Sequence, residues 1–198
     1  LRTSPHIQIY RKFVHLLVGV IFVIIGYSLY YYYGVSLVIY LAFLLLILLI
    51  FIDLLRVEFG ANFILYTILT KEKERKNFTA LTYGILAVVL ALSLFDFNIA
   101  FAALAMSHFS DAIAAIIGIK FGRHRVWNGK SIEGSLASLL TNLVIGYFIV
   151  GVWYIFIPMA VVATLTELVI THMDDNFVVP IFSGFVGQLI VIAIRGLI

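Results

Sequence analysis

The sequence predicts an all-α, polytopic membrane bundle of about seven spanning helices, with six as the fallback count and the N-terminus in the cytoplasm. Three observations carry that expectation. Of 198 residues, 64% are hydrophobic and only 12% charged, with a mean hydropathy of +1.15, which leaves too few polar side chains to clothe a soluble domain. The apolar residues fall into runs close to the ~20 needed to cross a hydrocarbon core. If the runs span in turn, twelve of the thirteen Lys and Arg residues lie on one side, and by the positive-inside rule that side is the cytoplasm.

Taken in order, the first run covers 13–33 and follows Arg11 and Lys12. Its charged start is that of a signal peptide, but the run is longer than an h-region of roughly 7–15 residues and no small-residue cleavage site follows. It is expected to be a retained spanning helix. The second run, 35–54, closes on Asp53 and Arg56. The loop from Arg56 to Asn77 holds KEKERK, whose mixed charges read as a solvated helix end or a contact with anionic lipid. Asn77-Phe78-Thr79 matches a glycosylation sequon that a cytoplasmic location leaves idle.

Runs three to seven cover 78–95, 97–118, 134–153, 155–172 and 177–196. Only the short stretch around Trp153 to Pro158 separates the fifth from the sixth, so a re-entrant pair is the alternative there. Tyr30 to Tyr33, Trp153 and Tyr154 fall at the outer interface, where amphipathic rings are favoured. There is no cysteine, which excludes disulfides and thiolate metal sites. No internal repeat or second domain is apparent, and 1–198 is expected to be one membrane-embedded domain. Nothing in the pattern calls for a nucleic-acid partner, and it is silent on oligomeric state.

The orientation also sorts the unusual polar residues. His15, Asp53, Arg56, Asp111, Glu133, Glu167, His172, Asp174, Asp175 and Asn176 all fall at or near cytoplasmic helix ends. A charge inside a span costs at least ~2.5 kcal/mol on insertion scales, so one shared cytoplasmic site explains their one-sided placement economically. Asp111 is the sharpest of them, because it lies within the fourth run with Ser107 and His108 on the same helical face. It reads either as a functional carboxylate or as the partner of a Lys or Arg on a neighbouring helix. Ser107 and His108 alone could equally bond backbone carbonyls between helices.

The segment from His108 to Ser135 sets glycines and basic residues between apolar runs. Gly118 and Gly122 have small-xxx-small spacing, which lets helices approach closely. From Gly122 to Gly134 glycines free the backbone to turn amides toward an anion, and Arg123, Arg125 and Lys130 would neutralise it. Gly129-Lys130-Ser131 resembles the end of a Walker A motif, but the gap back to Gly122 is longer than that motif allows. What remains is a basic loop, with a turn at Asn128-Gly129, entering the fifth helix, whose amino end adds its dipole to anion binding. Ser131 suits the N-cap, with Gly134 and Ser135 in the first turn. Glu133 reads as a dipole-complementing residue or a metal ligand. Glu167 shares a face with Thr164 and Thr171. Asp174, Asp175 and Asn176 would cap the seventh helix or offer oxygen ligands to Mg²⁺.

Together these motifs resemble the CTP-dependent polyprenol kinase family, which includes dolichol kinase and phytol kinase and has CTP-dependent diacylglycerol kinase as a relative. The resemblance rests on Arg11-Lys12-Phe13-Val14-His15, Asp53-Leu54-Leu55-Arg56, and Ser110-Asp111-Ala112-Ile113-Ala114-Ala115 with Gly118 and Gly122. It continues through Lys130-Ser131-Ile132-Glu133-Gly134-Ser135 and Asp174-Asp175-Asn176 with Pro180. These stand in family order across nearly the whole chain. Ser110 departs from the pattern, where glycine is expected in many members, and the extra spans of larger dolichol kinases are not in this sequence.

The resemblance implies transfer of the γ-phosphate of CTP to the hydroxyl of a membrane lipid alcohol, giving lipid phosphate and CDP. It implies that the loop near Lys130 contacts the nucleotide and that Asp111 is required. Phosphoryl transfer is chiefly positioning and charge neutralisation. Lys130, Arg123 and Arg125, with amides from Gly129 to Ser135, would hold phosphates. Mg²⁺ or another divalent cation would be shared with carboxylates from Asp111, Glu133, Asp174 and Asp175, and Asp111 or His15 would take the hydroxyl proton. A CTP-using cytidylyltransferase that releases pyrophosphate is the rival enzyme. A small transporter is the rival of another class, although its polar residues would be spread through the membrane depth.

Overall fold

The computed structural model describes residues 5–59, 77–126, 129–170 and 172–196, without the side chains of 5–8, 11 and 15. The KEKERK segment, Asn128 and Thr171 lie outside them. Among the described residues there are seven α-helices: α1 (Pro5–Tyr33), α2 (Val35–Phe59), α3 (Ala80–Leu94), α4 (Phe97–Phe121), α5 (Ile132–Ile149), α6 (Trp153–Val169) and α7 (Asp175–Arg195). The all-helical expectation holds. α5 and α6 are two separate helices joined at 150–152, where Gly151 takes a φ of 72° that side chains rarely adopt.

Five of the seven helices are long and apolar enough to cross a membrane unaided: α1 (from Lys12), α2, α4, α5 and α7. α3 and α6 have 15 and 17 residues, which at a rise of ~1.5 Å per residue span about 22–26 Å against a hydrocarbon core of ~30 Å. Both are cut short at the same end of the bundle. Thr79 caps the start of α3 by accepting a hydrogen bond from Thr82 N, and Ile170 ends α6 in an extended conformation just before His172. Capping residues and polar loops therefore replace the last turn that each apolar run would have supplied.

α4 is the centre, packing against α1, α3, α5, α6 and α7. Its sequence explains this position. Ala100, Ala102, Ala103, Ala105, Ala112 and Ala114 are all buried, and such small side chains let neighbouring backbones come close where lipid supplies no hydrophobic drive between helices. Partner glycines take up the larger residues: Gly146 lies against Met106 and Phe156, and Gly187 against Met159. Leu44, Leu140, Phe148 and Leu189 point outward, as expected of a surface solvated by acyl chains, with its backbone bonds closed within helices.

The two ends of the bundle differ. At one end stand Tyr30, stacked on Phe97 at 3.4 Å, and an Asp96–Arg195 ion pair of 2.8 Å, with Asp96 N donating to Gln188 Oε1. Lys12, Asp53, Asp111, the loop 122–131, Glu167 and Asp175 gather at the other.

Candidate functional site

Two aspartates sit inside helices at the charged end. Asp53 of α2 is fully buried, with Oδ2 accepting from Thr79 N at 2.9 Å, Thr79 Oγ1 at 3.3 Å and Thr82 Oγ1 at 2.6 Å. Its Oδ1 pairs with the Arg56 guanidinium at 3.1 Å, and Arg56 also donates to Asn77 O. Those bonds tie the end of α2 to the start of α3, and leave this carboxylate committed to the fold.

Asp111 of α4 instead lines a cleft of about 200 Å³ that opens at the charged end. Lys12 of α1 pairs with it, which is the neighbouring-helix partner weighed as one alternative from sequence, yet a quarter of the Asp111 side chain stays exposed. The cleft is also lined by Lys130, whose Nζ donates to Glu167 O and lies 3.6 Å from Glu167 Oε1 and 3.7 Å from Asp175 Oδ2. Ser138 Oγ donates to Glu167 Oε2 at 2.9 Å. Ser107 Oγ reaches Asp175 O at 3.4 Å, joining α4 to the start of α7. Acidic and basic groups from α1, α4, α6, α7 and the loop thus meet around one opening.

The loop itself is a short hairpin. Val126 N donates to Lys130 O and Ile132 N to His124 O, each at 2.9 Å, with an antiparallel bridge between Arg125 and Ser131. Gly129 turns the chain at φ 77°, the left-handed conformation that favours glycine, and the Arg125 guanidinium bonds its carbonyl at 2.7 Å. Ser131 caps α5 as expected, accepting from Gly134 N at 3.1 Å. The glycines bring the hairpin onto α4: a Cβ at Gly134 would stand 2.9 Å from Ala114 O, and one at Gly122 only 2.7 Å from Ser131 Oγ. Ala114, Ala115, Gly118 and Ile119 form the apolar wall between this hairpin and Asp111.

Of the residues singled out from sequence, the cleft is lined by Asp111, Arg125, Gly129, Lys130, Ser131, Gly134, Ser135 and Glu167. Lys12 and Asp175 border it through their ion pairs. Arg123 is not among the residues that line it. Glu133 turns to His124, pairing with Nδ1 at 2.8 Å and facing its backbone N at 3.3 Å, so its carboxylate braces the hairpin stem. Asp174 Oδ1 accepts from Asn176 N and Nδ2 at 3.0 and 2.9 Å, the helix-cap alternative. His172 is exposed, and His108 packs against Gly19 of α1. The side chains of Arg11 and His15 lie outside the described residues. Ser110, the departure from the family pattern, is 1% exposed, so a small residue suffices there.

Sequence reading overlooked Ser138 and His124. Ser138 had a signal: Gly134, Ser138, Asn142 and Gly146 recur every fourth residue and are all buried, a small and polar stripe on an otherwise lipid-facing helix. His124 had none, since its role depends on a strand pairing formed in the hairpin. Among the described residues no group of three or more His, Asp or Glu side chains could hold a metal ion by itself.

The chain is 26% identical over 165 residues to CTP-dependent diacylglycerol kinase 1 of Saccharomyces cerevisiae, covering 67% of this chain and 57% of that protein. The protein of the same name from Eremothecium gossypii is 23% identical over 172 residues, covering 71% and 54%. A probable chloroplastic phytol kinase 2 of Oryza sativa subsp. japonica is 36% identical over 97 residues, covering 40% and 32%. The chain thus spans about half the length of the diacylglycerol kinases it matches. No family model and no solved structure matches.

Proposed function

We propose, from the kinship of this chain with CTP-dependent lipid kinases, that it transfers the γ-phosphate of CTP to the hydroxyl of a membrane lipid alcohol. The observation that carries the proposal is the cleft that Asp111, on a membrane helix, lines together with a basic hairpin leading into the start of α5. A lipid hydroxyl and a nucleotide phosphate have to meet at the boundary between bilayer and water, and a charged cleft at the end of a helical bundle suits that meeting. The one-sided distribution of Lys and Arg supports the cytoplasmic side for it.

Each part of the cleft has a task in the reaction. Lys130 meets phosphate oxygens, the dipole of α5 adds to their binding, and Arg125 holds the turn that presents Lys130. The apolar wall of Ala114, Ala115, Gly118 and Ile119 admits the acceptor's first carbons. Asp111 orients the hydroxyl and takes its proton as the oxygen bonds to the γ-phosphorus and the bond to the bridging oxygen breaks, releasing CDP.

The donor set fits Mg²⁺ only as an ion shared with substrate phosphates, because carboxylates are present but no three-ligand cluster is formed among the described residues. Asp175 is the carboxylate that would hold it beside the phosphates, and Asp111 would join it only in place of its role as base. When bound, such an ion neutralises charge on the phosphate oxygens.

The acceptor is a lipid alcohol of either the isoprenoid kind, as the motifs imply, or the diacylglycerol kind for which two of the relatives are named. An assay of purified protein with γ-labelled CTP or ATP, Mg²⁺, and farnesol, geranylgeraniol, phytol, dolichol or diacylglycerol tests the proposal. The expected result is labelled lipid and CDP from CTP with one acceptor class. Release of pyrophosphate would indicate a cytidylyltransferase instead, and absence of labelled lipid with every acceptor would overturn the kinase reading.

A further inference from the structure

We infer that Ser138 and Glu167 are positioning residues for Lys130, holding its ammonium in the cleft before the nucleotide arrives. The inference rests on the nucleotide reading of the hairpin and goes beyond it by assigning a task to two residues outside the hairpin.

The geometry divides Glu167 into three acceptors with separate duties. Its backbone carbonyl lies in the last turn of α6, where helical carbonyls run out of intrahelical donors and the helix end favours a cation. Lys130 Nζ binds that carbonyl. Oε2 accepts from Ser138 Oγ at 2.9 Å, and Oε1 faces Lys130 at 3.6 Å. Ser138 and Glu167 are 1% and 7% exposed, so neither can trade its partner for water.

The Ser138 hydroxyl therefore selects the rotation of the carboxylate, and the carboxylate selects the position of the ammonium. A lysine has a long flexible stem whose rotamer freedom is lost when it binds phosphate. Fixing it in the free protein removes that loss from the binding step. Glu167 carries a negative charge toward an anion site, so its effect has two signs: repulsion of phosphate and retention of Lys130. Retention is favoured by the geometry, because Oε2 is already committed to Ser138 and the remaining oxygen faces the ammonium.

The test measures CTP binding to detergent-solubilised full chain for Ser138→Ala and Glu167→Gln, each alone and in a Lys130→Met background. Thermal unfolding midpoints select the variants that remain folded. Glu167→Gln keeps volume and an acceptor for Ser138, so it stands in if Ser138→Ala misfolds. With Lys130 present, each variant is expected to weaken CTP binding by about fivefold. In the Lys130→Met background each is expected to change it less than about twofold, since residues that act through a shared partner are non-additive. The KM for the lipid alcohol stays unchanged in both.

Equal weakening in the two backgrounds would mean a general structural role and overturn the inference. So would unaltered CTP binding in both variants, or tighter binding by Glu167→Gln, which would mark repulsion as its main effect. If Lys130→Met alone leaves CTP binding intact, the nucleotide reading of the hairpin falls and this inference falls with it.

Discussion

Asp53 and Asp111 look alike in the sequence: each is a carboxylate in a long apolar run, with a basic or polar residue one turn away. In the fold they are opposites. Asp53 is sealed from solvent by Thr79, Thr82 and Arg56 and joins two helices that contribute no described residue to the cleft lining. Asp111 pairs with Lys12 yet keeps a quarter of its side chain exposed, in a cleft that hairpin residues also line. A carboxylate inside a membrane helix demands partners in either case. The difference is whether those partners close around it or leave a way in.

Several variants sharpen that contrast. The largest effect on chemistry is expected from Asp111→Asn, which keeps the shape and removes the proton acceptor: transfer of label from CTP to lipid falls by about 10²–10⁴-fold, the usual share of a general base. Its unfolding midpoint stays near that of the wild type. Lys130→Ala follows, with kcat/KM for CTP lower by about 10²–10³-fold, the usual loss when one donor to a transferring group is removed.

For Asp53→Asn the order reverses. Removing one partner of a buried ion pair destabilises by about 3–5 kcal/mol, read as a lower unfolding midpoint, while turnover per folded molecule is retained. Gly134→Ala lies between the two classes, because its Cβ meets Ala114 O at 2.9 Å and must push α5 from α4. A loss of about 1–3 kcal/mol is expected from such overpacking, together with a raised KM for CTP. Glu133→Gln should be smallest. It weakens the brace on His124 at a partly exposed site, where a single ion pair adds little to stability, so the unfolding midpoint barely moves and the KM for CTP rises only a few-fold.

Much of this was readable from sequence, for reasons tied to particular residues. Helix existence followed from apolar runs, and the clustering of Asp111, Lys130, Glu167 and Asp175 at one end followed from alternating topology alone. The N-cap at Ser131 and the turn at Gly129 were local and therefore legible.

Less legible were the features set by contacts between distant elements. Asp111 stood out from Asp53 by its depth in its apolar run, but the sealing of Asp53 was hidden, because it comes from Thr79 and Thr82 across a loop. Glu133 and Asp174 each carried two readings, metal ligand or helix-end residue, and sequence could not weigh them because the contacts to His124 and Asn176 depend on how the hairpin and the start of α7 fold. The shortness of α3 and α6 was hidden in runs bounded by hydropathy, since the Thr79 cap starts α3 inside its run and the extended residue Ile170 ends α6 before its run does.

The most direct measurement compares wild type, Asp53→Asn and Asp111→Asn for transfer of γ-label from CTP to a lipid alcohol, normalised to folded protein. The account predicts labelled lipid from wild type and Asp53→Asn at comparable turnover, and almost none from Asp111→Asn despite an unchanged unfolding midpoint. Wild-type turnover by folded Asp111→Asn would contradict it.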